Sequence, residues 1–166
     1  MHSTSLIFSP MRAEDLDAVM EIERRSFGEP WSPGLFLHEL RVPFSKTVLV
    51  RAQNGASHVL GYICRWLVGD EVHILNLAVR PEERRSGIGR ALVELVLREA
   101  DASDARLITL EVRRENSAGM ALYRALGFAE DGVRRNYYGP GADAIIMSRA
   151  RHAGAAPSNP QRPLPP

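Results

Sequence analysis

The chain has little of what marks several broad classes of protein. A single cysteine, Cys64, in 166 residues excludes an internal disulfide framework and favours a reducing compartment. Cys64 lies in the apolar run 60–64, so we predict that it is a small buried side chain and not a nucleophile. The N-terminus lacks a basic region followed by a long apolar stretch, and no run approaches the ~18 apolar residues of a membrane span. These absences predict a cytoplasmic protein that has no membrane partner.

Net charge is also nearly absent. The 21 Lys and Arg residues against 20 Asp and Glu leave a net charge of +1, so no overall field favours direct binding to nucleic acid. The five histidines, at positions 2, 38, 58, 73 and 152, have no metal-ligand spacing, and no metal site is predicted. Any anion site must therefore be local.

The length and the apolar content fit one ordinary domain. A chain of 166 residues with 45% hydrophobic content buries a substantial core, and we predict a single domain at residues 1–149. Residues 150–166 contain five prolines and no periodic apolar pattern, which predicts a disordered tail. The sequence makes no prediction of the oligomeric state.

Hydrophobic periodicity predicts an α/β fold with a mixed sheet, in the order β-α-α-β-β-β-α-β-α-β-β. A first helix is expected to open with the segment Arg12–Asp15, and Ser32 followed by Pro33 predicts the start of a second. The next three strands, at 48–52, 59–66 and 74–79, are predicted to form an antiparallel meander. A helix ending near Ala100 then leads to a strand at 107–112, which implies a parallel crossover.

The most informative local motif is RRSGIGR at residues 84–90, directly after the strand at 74–79. We expect both glycines to adopt backbone conformations that side chains disfavour and to leave loop N–H groups uncovered, beside the free N–H groups of a helix start. The segment lacks the lysine of a phosphate-binding P-loop, and Leu92 stands where a dinucleotide fingerprint needs Gly or Ala. Three arginines around the loop suit a pyrophosphate.

Three residues further along are candidates for chemistry, each with a structural alternative. Glu111 interrupts an apolar strand near its carboxyl end, where burial would raise its pKa and make it a better base; alternatively it pairs with Arg113 or Arg114. Tyr123 lies on a helix and is either an acid or a core ring. Asn116 stands just before that helix and either caps it or contacts a ligand.

Two sets of motifs carry a family resemblance. R-x-x-G-x-G after a strand that ends in Ala78-Val79 resembles the acetyl-CoA loop of the GCN5-related N-acetyltransferases (GNATs). A second set resembles the bacterial RimI-type ribosomal-protein-alanine N-acetyltransferases over about residues 6–149. Its members are Pro30-Trp31-Ser32, Leu110–Arg113, Asn116, Ala121–Tyr123, Leu126–Phe128, Arg134–Tyr138 and Asp143–Met147. One departure is Gly139-Pro140-Gly141, where the family usually has a proline after two tyrosines, and this predicts a differently shaped substrate loop.

The resemblance implies a GNAT-like acyl-CoA N-acyltransferase fold, acetyl-CoA as cosubstrate and a role for each motif. Glu111 would be the general base and Tyr123 the general acid. Trp31, Tyr137 and Tyr138 would shape a peptide groove. The cofactor would be held by Leu77, Ala78 and Val79 along its pantetheine arm, by Arg85, Ser86, Gly87, Ile88, Gly89 and Arg90 at its pyrophosphate, and by Asn116.

The implied activity is N-terminal acetylation of a ribosomal protein, at the alanine of protein eighteen of the small subunit, by direct attack of the amine. An α-amino group is about a third deprotonated at pH 7.5, against roughly 0.1% for lysine, so a single carboxylate base suits an N-terminal peptide. Two alternatives remain open at this point: acetylation of lysine or small amines, and a non-catalytic acyl-CoA-binding module.

Overall fold

The computed structural model describes residues 5–54 and 58–151, which form a mixed α/β fold. The strands are β1 (Leu6–Pro10), β2 (Ser45–Ala52), β3 (Val59–Val68), β4 (Glu71–Val79), β5 (Leu107–Arg113), β6 (Ala129–Arg134) and β7 (Ala144–Ala150). The helices are α1 (Leu16–Ser26), α2 (Pro33–Glu39), α3 (Ile88–Asp101) and α4 (Ser117–Ala125), with 3₁₀ turns at Ala13–Asp15 and Pro81–Glu83. The strands form one seven-stranded sheet in the order β1-β2-β3-β4-β5-β7-β6. The predicted fold class is confirmed.

The chain divides into two compact units. Among the described residues, the first consists of 5–54, 58–66 and 75–97, and the second of 67–74 and 98–151. A single domain at residues 1–149 stays a prediction. Most of the predicted tail, residues 152–166, lies outside the described residues. The predicted start of the tail differs from the structure, because β7 continues to Ala150 and the Arg151 guanidinium donates to the carbonyls of Ser103 and Ala105.

The first unit contains an antiparallel β1-β2-β3 sheet packed against α1 and α2. The predicted start of α2 is confirmed, since Ser32 Oγ accepts a hydrogen bond from the Leu35 N–H at 3.1 Å. The predicted helix opening at Arg12–Asp15 takes the form of a 3₁₀ turn at Ala13–Asp15, which has Arg12 as its N-cap. Asp15 accepts from the Arg12 N–H and also pairs with Arg51 of β2, and these contacts accompany a 3₁₀ turn before α1 begins at Leu16. The core of this unit contains Val19, Ile22, Phe36, Leu49 and Tyr62.

The second unit brings strands from distant parts of the sequence together. Residues 71–74 of β4 pair with 107–110 of β5 in parallel, as the predicted crossover requires. Strand β7 lies between β5 and β6 and is antiparallel to both. In this register Glu111 lies opposite Ile146, and Ala144 lies opposite both Arg113 and Arg134. No helix in the described part of the chain is long and apolar enough to cross a membrane.

Candidate active site

The glycine-rich loop of the first unit has two residues in the left-handed backbone region. They are Gly87, with φ of 86°, and Arg85, with φ of 63°. The expectation that both glycines adopt such conformations is wrong for Gly89, which lies inside α3 and is absent from the positive-φ residues. Ile88, Gly89 and Arg90 form the first turn of α3, whose N–H groups have no acceptor within the helix. The loop therefore presents backbone donors at the positive end of a helix dipole.

The arginines of this loop have different surroundings. Arg84 Nε donates to the Val79 carbonyl at 3.1 Å and Nη2 donates to Ser26 Oγ at 3.0 Å, so this side chain ties the loop to β4 and α1. Arg90 pairs with Glu94 one helical turn along. Arg85 is exposed and forms no ion pair within the described residues. Arg85 is thus the arginine whose charge is available to an anion.

The end of β4 is held firmly against β3. A Cβ added to Gly61 of β3 would lie 2.8 Å from the Ala78 carbonyl oxygen and 3.3 Å from Val79 Cα. Arg80 N donates to the Leu60 carbonyl at 2.7 Å, and its side chain donates to the Val59 carbonyl and to Glu21. The backbone at 77–79 is therefore braced before any ligand binds.

A buried carboxylate that the sequence analysis missed lies beside Trp31. Glu23 of α1 is 1% exposed. It accepts hydrogen bonds from the Trp31 N–H at 2.9 Å, from Asn76 Nδ2 at 3.0 Å and from the Tyr62 hydroxyl. Burial, followed by the Glu23 charge, raises the pKa of Tyr62. Helical spacing was the available signal, because Glu23 is four residues after the buried Val19 and so lies on the same helix face.

Glu111 in the second unit is buried and has one oxygen engaged. Its side chain is 7% exposed, and Oε1 lies 2.6 Å from Arg134 Nε. Burial raises the pKa of Glu111, while Arg134 and a hydrogen bond from Tyr137 oppose that rise. The other oxygen, Oε2, is buried and has no hydrogen-bond partner among the described residues. The predicted rise in pKa is therefore present.

The predicted alternative for Glu111, an ion pair with Arg113 or Arg114, is wrong. The guanidinium of Arg113 lies over the Tyr138 ring, 4.1 Å from its centroid. Arg114 pairs with Asp143 at 3.6 Å. The partner comes instead from β6, twenty-three positions along the chain.

Tyr123 and Asn116 both have clear structural roles on α4. The Tyr123 ring is buried and packs edge-on against Phe128, with centroids 5.7 Å apart. Burial, and then the charge of Tyr138, raises the pKa of Tyr123, so its phenol stays protonated at neutral pH. Asn116 is the N-cap of α4, and its Oδ1 accepts from the Gly119 N–H at 2.9 Å. Capping by Asn116 is confirmed, whereas its contact with cofactor and the acid role of Tyr123 stay predictions.

The loop between β6 and β7 contains Tyr137 and Tyr138, whose rings meet edge to face at 4.9 Å. Burial raises the pKa of Tyr138 to about 12. Asn136 has φ of 56°, and its Oδ1 accepts from the Gly141 N–H at 2.7 Å. Gly139 and Gly141, with φ of 129° and 75°, supply the conformations that this turn needs. The two glycines of the Gly-Pro-Gly segment thus shape a loop closed by its own hydrogen bonds.

The chain is similar to proteins of known function. The sequence pattern of the Acetyltransferase (GNAT) family matches residues 16–128. The chain belongs to the GNAT family. It is 37% identical to the [ribosomal protein bS18]-alanine N-acetyltransferase of Escherichia coli K12 over 143 residues, covering 84% of this chain and 94% of that protein. It is 35% identical to the N-alpha-acetyltransferase RimI of Mycobacterium tuberculosis over 142 residues, covering 81% and 86%. The crystal structure of the ribosomal-protein-S18-alanine N-acetyltransferase from E. coli superposes with a TM-score of 0.80 at 32% identity, covering 91% of this chain and 97% of that one.

Membership in this family confirms the predicted resemblance and the prediction that the protein is an N-acetyltransferase. In each unit of this GNAT enzyme, several of the predicted site residues lie close together. Leu77, Ala78 and Val79 lead into the loop of Arg85–Arg90, and Glu111 contacts Tyr137. Trp31 packs on Phe36, with ring centroids 5.2 Å apart. Arg134, which sequence reasoning gave no role, is the close partner of Glu111.

Proposed function

We propose that this GNAT enzyme transfers the acetyl group of acetyl-CoA to the N-terminal alanine of ribosomal protein bS18. The names of the E. coli and M. tuberculosis relatives support the substrate class. The observation that carries the chemistry is the buried carboxylate of Glu111, whose Oε2 lacks a hydrogen-bond partner among the described residues. Leaving a buried acceptor unsatisfied costs about 1–3 kcal/mol, which an incoming N–H donor or a water would recover.

The glycine-rich loop fits the diphosphate of acetyl-CoA. Left-handed conformations at Arg85 and Gly87 shape the loop directly before the free N–H groups of α3, and the exposed guanidinium of Arg85 adds a full positive charge. We assign the diphosphate to Arg85, Ser86, Gly87, Ile88, Gly89 and Arg90, and the pantetheine arm to the braced backbone of Leu77, Ala78 and Val79. Bound acetyl-CoA supplies an activated acetyl thioester.

The remaining chemistry is proton transfer by side chains. Glu111 takes a proton from the attacking amine at Oε2, directly or through a water, because Oε1 is already engaged by Arg134. Tyr123 gives a proton to the leaving group, since its raised pKa keeps the phenol protonated. Asn116 contacts the cofactor, and Trp31, Tyr137 and Tyr138 shape the groove for the peptide.

The preference for an N-terminal amine follows from its basicity. At pH 7.5 roughly a third of α-amino groups are neutral, while only about 0.1% of lysine amines are. A single carboxylate provides about 10²- to 10⁴-fold assistance, which suffices for an amine that is already partly neutral.

The test uses three peptides and mass spectrometry of the products. The first begins with a free alanine and contains an internal lysine, the second has the same sequence with a blocked N-terminus, and the third begins with a different residue. We expect the acetyl group on the α-nitrogen of the first peptide, little product from the second and slower reaction of the third. Equal acetylation of the blocked peptide would instead establish a lysine acetyltransferase. Binding of acetyl-CoA without turnover of any peptide or small amine would establish a non-catalytic module.

A further inference from the structure

Arg134 reaches Glu111 across an intervening strand. Residues directly opposite each other in an antiparallel pair share a face of the sheet, and the face repeats every second residue. Ile146 of β7 lies opposite Glu111 of β5 on one side and opposite Gly132 of β6 on the other. Two positions along β7, Ala144 lies opposite Arg134 of β6. All five therefore share one face. Gly132 has no side chain and Ala144 has a short one, so the long side chain of Arg134 passes over β7 to Glu111.

The contacts of Arg134 also include the substrate loop. Its guanidinium carbon lies 5.7 Å from the centroid of the Tyr137 ring, and Tyr137 itself hydrogen bonds to Glu111. Arg134 is 22% exposed, so little water screens its ion pair with the carboxylate.

The other groups that face Glu111 are neutral or engaged elsewhere. Tyr137 and Tyr138 are neutral phenols whose pKa values are raised by burial. Arg113 of β5 lies over the Tyr138 ring, and Arg114 pairs with Asp143. Among the described residues, Arg134 is the cation in ion-pair contact with Glu111.

We propose that Arg134 is a positioning residue for acetyl transfer, which holds Oε1 of Glu111 and thereby leaves Oε2 as the oxygen that accepts the proton. This inference rests on the proposed role of Glu111 as the base. The guanidinium has two consequences. Its Nε lies 2.6 Å from Oε1, so the ion pair holds that oxygen in place. Its charge lowers the pKa of the carboxylate against the rise that burial causes, and so favours the ionised form that a base needs.

The experiment measures kcat/KM for the free-alanine peptide against pH in the wild type, Arg134→Gln and Arg134→Lys. On the acidic side of the profile, kcat/KM falls as the base becomes protonated; we call this the acid limb. In Arg134→Gln the midpoint of the acid limb should move up by about one pH unit, because loss of an adjacent opposite charge leaves the effect of burial on the pKa unopposed. At a pH below both limbs this is about a ten-fold loss. Arg134→Lys should keep the wild-type pH dependence but lose several-fold in kcat/KM at higher pH, because a flexible, strongly hydrated ammonium group holds Oε1 less rigidly than the planar guanidinium. The dissociation constant of acetyl-CoA should stay within about two-fold of wild type in both variants.

The matched control is Arg124→Gln, which removes an exposed arginine that pairs with Glu130 of β6 in the same unit. Its pH profile should match wild type. An unmoved acid limb in Arg134→Gln would overturn the inference. If that variant fails to fold, as judged by circular dichroism, Arg134→Lys provides the test. A kcat/KM equal to that of the wild type at pH values above the acid limb would then overturn the inference. The proposed function fails separately: Glu111→Gln would then acetylate the peptide at the wild-type rate, whatever Arg134 does.

Discussion

The two units contribute different kinds of groups to the proposed chemistry. In the first, the glycine-rich loop and the end of β4 offer backbone N–H groups, two left-handed residues and the exposed guanidinium of Arg85, which forms no ion pair among the described residues. In the second, Glu111, Tyr123 and Arg134 are side chains whose properties depend on burial and on one another. Backbone binding depends on local conformation, whereas acid–base chemistry depends on the neighbours that the fold supplies. Variants of the two units should therefore fail in different ways.

The largest expected effect is in the second unit. Glu111→Gln keeps the shape of the side chain and removes the base, so kcat/KM for the free-alanine peptide should fall by about 10²- to 10⁴-fold. The dissociation constant of acetyl-CoA, measured by calorimetry, should change little. Glu115→Gln, at an exposed position in the turn before α4, is the control and should retain wild-type activity. A Glu111→Gln variant that lost acetyl-CoA binding would remove the distinction between the units.

The next effect is on the stability of the first unit, through the contact between β3 and β4. Gly61→Ala places a Cβ 2.8 Å from the Ala78 carbonyl oxygen, which is backbone and cannot move aside cheaply. We expect the free energy of unfolding, from denaturant titration, to fall by about 1–3 kcal/mol. Gly34→Ala is the control, because its added Cβ meets only Ser32 Oγ at 3.9 Å. Equal stability of the two variants would show that β3 and β4 are not tightly apposed.

A smaller effect should separate binding from chemistry. Gly87→Val forces a β-branched residue into φ of 86°, although nothing lies within 4 Å of the added Cβ. The cost is conformational, about 1–2 kcal/mol, and we expect the KM for acetyl-CoA to rise roughly ten-fold with kcat unchanged. Gly28→Val, also with no atom within 4 Å and without a left-handed φ, is the control for that KM. A loss of kcat in Gly87→Val would argue that the loop also positions the reacting groups.

The smallest effect is a pH dependence of stability in the second unit. Because burial raises the pKa of Glu111 in the folded state, the folded protein binds more protons than the unfolded chain. Its contribution to stability is therefore fully present below the unfolded pKa of about 4.3 and is lost as pH rises through the folded pKa. The free energy of unfolding of the wild type, measured relative to Glu111→Gln, should fall over that window. A difference that rises with pH would mean that Arg134 outweighs burial.

The sequence predicted what depends on neighbours along the chain. Ser32 followed by Pro33 located the start of α2, because both the cap and the proline act within one turn. The motif at 84–90 predicted a loop before a helix. The second left-handed residue of this loop, in addition to Gly87, proved to be Arg85 and not Gly89. Strand β4 starts at Glu71, earlier than the predicted start at residue 74. The additional residues, which include the polar Glu71 and His73, belong to the strand because they pair with β5.

Local patterns by themselves determined the order of helices and strands, the glycine-rich loop and the family, because periodicity, caps and glycines act over a few residues. Only the tertiary structure decided which charges meet. Glu111 pairs with Arg134 and not with its neighbours Arg113 or Arg114, and Glu23 meets Tyr62 and Asn76, since strand register and helix packing join residues that lie far apart in the chain. The strength of a base depends on such partners and on exclusion of water, and neither quantity exists until the sheet has formed.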